Sequence, residues 1–441
     1  MAEPRKIDKS GPGAGGQGIA GPSQGHHKGS PGYRRMLAAL ACAGVATFAQ
    51  LYSLQGLLPL VSRELGVTAA QASLTISVAT AGLALAVLPW SFVSDRRGRV
   101  RTMGLAVILA TVFGLLVPAA PNFEVLLLLR GLEGAALGGI PALAIAYLTE
   151  EVQPRSAAAA AGAYVAGTTL GGLFGRLLAG PVADLAGWRM GTLAVSLCAA
   201  VAAAGFLLLA PKPRGFVPSS GEGFGAVLGK LVPQMRSKPL LALYAQAFLL
   251  MGSFVSVYNY LGFRLEAPPY LFPAWAVALL FLAYLSGTVS ARLVAGLAVR
   301  WGRRTVLLAS TGAMTTGLAL TLASPVAVIL AGLVLFTAGF FGAHSIASGW
   351  TGALATSGRA QAASLYNLSY YAGSSVVGWS AGLLFQHFGW GAMAGALAVL
   401  AALAAVAAAM LLPGAEPREV PGTETSEGSP AEPRAEPGPQ P

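Results

Sequence analysis

Apolar runs of about 18 to 25 residues, almost free of charge, follow one another along the middle of the chain. That is the length of helix that crosses the ~30 Å hydrocarbon layer of a bilayer. Lipid offers the peptide group no hydrogen-bond partner, so a spanning segment must satisfy its own backbone, and a run of this length does so as a helix. The runs predict helices over 36–60, 72–93, 101–119, 123–148, 157–180 and 188–210, then over 239–262, 272–293, 304–323, 326–348, 360–384 and 389–412. The reading is an all-α membrane protein with twelve transmembrane helices. Composition agrees: 55% of the residues are hydrophobic and 10% are charged, against about 25% charged in soluble domains.

Charge sets the orientation. Arg34, Arg35, Arg96, Arg97, Arg99, Arg101, Arg155, Arg300, Arg303, Arg304 and Arg359 fall in connections on one side of the spans, with Lys212, Arg214, Lys230, Arg236 and Lys238 of the polar connection 211–238. The other side receives Arg63, Arg189 and Arg264. Basic loops stay in the cytoplasm, so both termini are expected there and the chain in the inner (plasma) membrane as a multi-pass protein. The net charge of +11 is thereby explained without nucleic acid, whose footprint would be a basic patch on a polar fold. Residues 1–35 and 413–441 read as disordered cytoplasmic tails, rich in Gly, Ser and Pro or in Pro and Glu. The apolar block that begins near Met36 is too long for the core of a cleavable signal. Cys42 and Cys198 lie inside apolar runs, and His26 and His27 are too few for a site, so neither a disulfide nor a metal is expected.

The chain repeats itself. A six-helix bundle over 36–210 matches a second over 239–412. Tyr164 falls on Tyr366, Gly171 on Gly373, Gly180 on Gly382, Gly187 on Gly389 and Trp188 on Trp390 at one fixed offset. Tyr52 and Gly56 fall on Tyr258 and Gly262, and Asp95-Arg96-Arg97-Gly98-Arg99 corresponds to Val299-Arg300-Trp301-Gly302-Arg303. Repeats of this kind place a substrate site between pseudo-symmetric halves, near the membrane midplane.

The stretch Ser91-Phe92-Val93-Ser94-Asp95-Arg96-Arg97-Gly98-Arg99 is the most specific motif. Gly98 permits a tight turn between antiparallel helices, and Asp95 can pair with the arginines or cap a helix N-terminus. With its weaker copy after the eighth span, it resembles the loop motif of the major facilitator superfamily, and the resemblance covers roughly 36–412. It implies a gate motif of Asp95, Arg96, Gly98 and Arg99 with Arg300, Gly302 and Arg303, in which Asp95 and Arg99 help hold the halves together on the cytoplasmic side. Ser91 stands where the family usually has Gly, and Val299 replaces the Asp of the second copy, so the gate is expected to be asymmetric.

Arg130-Gly131-Leu132-Glu133-Gly134 resembles the family's fourth-helix motif. A charge at that depth costs about 2.5–3.5 kcal/mol on insertion scales and usually faces an interior or a cavity. Glu133 and Arg130, three residues apart, form either a self-neutralising pair or a proton-coupling site in which Arg130 tunes Glu133. Gly167, Gly171, Gly172, Gly175 and Gly180 before Pro181 suit close helix packing and loosely resemble the Gly-Pro motif of the family's efflux branch; Arg176, near the outer end, can snorkel.

By resemblance the first, fourth, seventh and tenth spans line the central cavity. They offer Gln50, Tyr52 and Gln55, then Arg130 and Glu133, then Gln246, Tyr258 and Asn259, then Phe340, Phe341 and His344, with Tyr366 and Asn367 nearby on the eleventh. Apolar and aromatic walls with a few polar groups suit an amphiphilic molecule. The expected function is secondary active transport by alternating access: efflux of a small drug-like or sugar-like molecule, driven by the proton gradient, by a monomer without a cofactor. Uptake of a nutrient or organic anion, with Arg130 as the anion contact, is the alternative, and a non-transporting membrane receptor is a remote one. The spans show no Ser-His, metal-ligand or paired-carboxylate arrangement that would suggest an enzyme.

Overall fold

Residues 26–213, 224–355 and 358–414 are described by a computed structural model, and they are helical almost throughout. The expected tails over 1–25 and 415–441 and the connection at 214–223 lie outside the described residues. The spans are α1 (Pro31–Leu65), α2 (Ala69–Arg97), α3 (Arg99–Ala119), α4 (Phe123–Glu151), α5 (154–186), α6 (188–209), α7 (Lys238–Glu266), α8 (Ala274–Trp301), α9 (Arg303–Leu320), α10 (Val326–Leu354), α11 (359–388) and α12 (390–411). Two arginines and several hydroxyl side chains make α9 less apolar than its neighbours.

Each expected span is present, and most run several residues further, because hydropathy marks the hydrocarbon slab while helices continue into the polar layers. The first begins at Pro31, not Met36: Ser30 caps it by accepting from the Tyr33 amide at 3.2 Å. The expected tail boundary at residue 35 therefore moves back, and His26 donates its amide to the Glu151 carbonyl at 2.7 Å. The connection between the halves contains a helix of its own, Phe224–Arg236.

The repeat is visible in the backbone. The joints between α5 and α6 and between α11 and α12 are single residues with positive φ, Gly187 (83°) and Gly389 (76°). Nothing lies within 4 Å of where a Cβ would sit at either, so the requirement is conformational and not spatial. Gly171 packs α5 onto α1 so closely that a Cβ would fall 2.4 Å from the Val45 Cα, and Gly373 packs α11 onto α7, 2.1 Å from the Phe248 carbonyl oxygen. The halves meet where α2 runs along α11 and α5 along α8.

Side-chain contacts across this seam are one-sided. Gln55 donates to Asn259 at 2.9 Å, Tyr260 to Ser73 at 2.7 Å, Ser375 to the Ser77 carbonyl at 2.9 Å, and the hydroxyls of Thr80 and Ser375 lie 2.8 Å apart. Arg63 pairs with Glu266 at 2.7 Å, and Asp184 accepts the Ala274 amide at 3.3 Å. These contacts lie between the middle of the helices and the end where α1 joins α2, away from the end that holds residues 31 and 411.

Candidate functional site

Continuous runs predicted unbroken helices at α1 and α4; both are interrupted. Proline at 59 and at 141 removes a backbone donor inside each run. The first helix stops after Leu51, and a 3₁₀ turn over Gln55–Leu57 precedes its continuation at Leu58. At that break the Gln50 carbonyl keeps a turn bond from the Ser53 amide at 3.1 Å, and Arg130 adds side-chain donors to it and to the Leu51 carbonyl. Its guanidinium donates to the Gln50 carbonyl at 3.2 Å, the Leu51 carbonyl at 2.5 Å and the Thr75 carbonyl of α2 at 3.1 Å, and pairs with Glu133. Arg130 and Glu133 are 0% and 1% exposed, so the pair is sealed within the first half. Gln50 ties its amide nitrogen to the Ala46 carbonyl at 3.0 Å, while its Oε1 has no hydrogen-bond partner among the described residues. That oxygen and Glu133 Oε1 converge on Gly114 of α3: a Cβ there would lie 2.2 Å from the first and 3.0 Å from the second.

Arg176 departs most from expectation. It does not snorkel; it is 3% exposed and sits where the halves meet. Its Nε and one terminal nitrogen both donate to Gln55 Oε1, at 2.9 and 2.8 Å, and the other donates to the Gly172 carbonyl at 2.7 Å. Three rings surround it: Tyr52 of α1 at 4.3 Å, and Phe281 and Tyr284 of α8 at 5.0 Å each. No carboxylate among the described residues lies within 4.0 Å of it. Gln55 in turn holds Asn259, whose Nδ2 has no partner among the described residues.

The second half answers with aromatic rings. Tyr258 stacks on Phe281 at 5.3 Å and packs against Phe254 at 4.9 Å, its hydroxyl 2.7 Å from that of Thr337. Phe254 stacks on Phe340 at 4.0 Å and meets Phe341 edge-on at 5.7 Å; Phe340 stacks on His344 at 5.8 Å. His344 Nδ1 lies 3.0 Å from the Tyr366 hydroxyl, and its ring 5.0 Å from Tyr370. Tyr284, Phe341, His344, Tyr370 and Tyr371 are half-buried, and Tyr371 packs against the core of the first half. Gln246 points into its own bundle, donating to the Ala404 carbonyl of α12. The gap it shares with Phe340, His344 and Tyr366 is too tight for a water. Asn367 is exposed, and its side chain makes no hydrogen bond among the described residues.

At the end of the molecule holding residues 31 and 411, Asp95 accepts from Arg99 at 2.6 Å, and Arg99 also reaches Ser94 at 2.9 Å and Glu150 of α4 at 3.0 Å. Gly98 has φ 90° and Gly302 φ 83°, so the two turns match. Arg96, Arg300 and Arg303 are exposed, and Val299 is 85% exposed. In the second copy the adjacent Arg304 takes over the polar work, donating to the Ala409 carbonyl of α12 and to the Leu412 carbonyl just past its end. The described bonds of both copies stay within their own half.

Sequence reasoning missed Glu150, the rings of Phe254, Phe281 and Tyr284, and the placement of Arg176. One signal was present for the last: Arg130 has an acidic residue three positions on, and Arg176 has none within a turn on either side.

Comparison with known proteins agrees with this architecture. The family model described as Major Facilitator Superfamily matches residues 40–298 and 272–437. The chain is 39% identical to the inner membrane transport protein YnfM of Escherichia coli K12 over 88% of this chain and 93% of that protein. It is 36% identical to the uncharacterized MFS-type transporter YybF of Bacillus subtilis 168, over 82% and 90%. Among solved structures, the nucleoside transporter NupG (D323A mutant) superposes with a TM-score of 0.73 at 13% identity, covering 86% of this chain and 100% of that one. A bacterial homologue of the human lysosomal transporter Spinster, inward-facing and occupied, gives 0.72 at 16% identity, over 87% and 97%.

Proposed function

The chain belongs to the major facilitator superfamily, and from that premise we propose that it is a proton-coupled secondary transporter that exports a small amphiphilic molecule by alternating access. The arginine asymmetry supports an inner-membrane orientation with both termini in the cytoplasm. In that orientation the contacts between the halves form a closed outer gate, and the molecule faces inward. The single observation carrying proton coupling is the convergence of Glu133 Oε1 and Gln50 Oε1 on one point beside Gly114. Gln50 Oε1 is a buried acceptor without a donor, and a proton on Glu133 would supply one. Arg130 stays anchored by three carbonyls whichever state Glu133 adopts. The Gly-rich fifth span, by its resemblance to the efflux branch, supports export. Infrared difference spectra of the purified protein should contain a carboxylic-acid C=O band that grows as pH falls and is lost in Glu133→Gln. An identical band in that variant, or none in the wild type, would end the assignment.

Uptake of a nutrient or organic anion is the second reading; the buried cation Arg176 favours an anionic over a neutral cargo in either direction. Counterflow in right-side-out and inverted vesicles, over drugs, sugars and organic anions, separates the two.

A further inference from the structure

Three observations meet at Arg176. Its charge is buried at the seam between the halves, with no described carboxylate to neutralise it. A single uncharged oxygen, Gln55 Oε1, takes two of its N–H groups. And the aromatic row of the second half begins at its ring cage, since Phe281 and Tyr284 both contact it and both pack against Tyr258. Burying a cation without a counter-ion is unfavourable, and a guanidinium's planar fork matches a carboxylate far better than one amide oxygen does.

We propose that Arg176 is the anchor for the acidic group of an amphiphilic organic monoanion, whose apolar body lies along the half-buried rings Tyr284, Phe341 and His344. This deepens the transport reading and rests on it for the path by which the ligand arrives. Gln55 Oε1 is the stand-in for the ligand's carboxylate. When the anion takes the two N–H groups, Gln55 is displaced, and its bond to Asn259, a buried link between the halves, is lost with it. Asn259 already carries an unpartnered Nδ2 at that point. Occupancy of the site thus loosens the outer gate. Arg130 cannot take this role, because Glu133 and three carbonyls already fill its fork.

The test is equilibrium binding to the purified full chain in detergent, without any gradient, using benzoate, 2-naphthoate and decanoate against their amides. At least one acid should bind tenfold or more tighter than its amide, a ratio within the range of charge-assisted hydrogen bonds. Arg176→Gln should abolish that preference, Arg176→Lys should reduce it, and Gln55→Leu should raise affinity for the acid by removing the competitor. Absence of any acid preference overturns the proposal, as does a preference unchanged in Arg176→Gln. If Arg176→Gln does not fold, unchanged or weaker acid binding in Gln55→Leu overturns it. Failure here leaves the Glu133 infrared band as it was, and loss of that band leaves the acid preference as it was, so the two readings fall separately.

Discussion

Replacing Arg130 with Met removes two distinct things, and a double-mutant cycle separates them. The first is the counter-ion of a carboxylate that is 1% exposed; stranding a buried partner costs about 3–5 kcal/mol. The second is the set of three backbone hydrogen bonds that close the break in α1 and reach α2. Polar contacts within membrane proteins average ~0.6 kcal/mol and rarely exceed ~1.7, so these three come to roughly 2 kcal/mol. Arg130→Met, which loses both, is therefore expected to lose about 5–7 kcal/mol. Arg130→Met with Glu133→Gln, which no longer strands a charge, should lose about 2 kcal/mol. Reversible unfolding in mixed micelles, followed by helicity and by tryptophan fluorescence, reads both. The reasoning is refuted if the single variant loses less than ~1 kcal/mol, or if the double variant is no more stable than the single. Full recovery in the double variant would mean that the carbonyls of Gln50 and Leu51 do not need the guanidinium.

Ala at Gly187 or Gly389 should each lower stability by about 1–2 kcal/mol, because the penalty is that of a side chain at positive φ; thermal unfolding should show the two losses adding, since the joints lie in different halves. Asp95→Asn should leave folding stability within ~1 kcal/mol, as expected for a partly exposed pair, while transport in vesicles falls; full transport would make the Asp95–Arg99 contact dispensable. Gly114→Ala puts a methyl 2.2 Å from Gln50 Oε1, so the Glu133 infrared band should shift, and an unshifted band would place the proton elsewhere.

Much of the fold was legible because hydrocarbon thickness imposes one length scale, and twelve apolar runs report it directly. The fixed offset that pairs Gly187 with Gly389 and Gly171 with Gly373 carried the repeat, and the first pair marks matching joints and the second matching close approaches. The helix breaks near Gln55 and Gly138 were not legible: hydropathy is indifferent to backbone geometry, and Pro59 and Pro141 were the only marks. The candidate site was legible in residue type and not in direction. Gln50 and Gln246 look alike as polar residues inside apolar runs, yet one lies beside Glu133 and the other bonds a carbonyl of its own bundle. Arg176 was misjudged because its distance from the end of a run suggested snorkelling, whereas its neighbours on α1 and α8 determine its burial.

The seam between the halves carries an energetic consequence. Most of its side-chain links are neutral hydrogen bonds joining hydroxyls, amides and carbonyls; the Asp184 carboxylate accepts one amide, and the one arginine–carboxylate link among the described residues, Arg63–Glu266, has a cation that is 59% exposed. At ~0.6 kcal/mol apiece, the neutral links hold the closed face by roughly 2–3 kcal/mol. Moving a two-state equilibrium from one extreme to the other takes about 5.5 kcal/mol of differential binding. Cargo that binds the opposite state better by a comparable amount can therefore part these surfaces by itself, and the latch is weak enough to be released at every turnover.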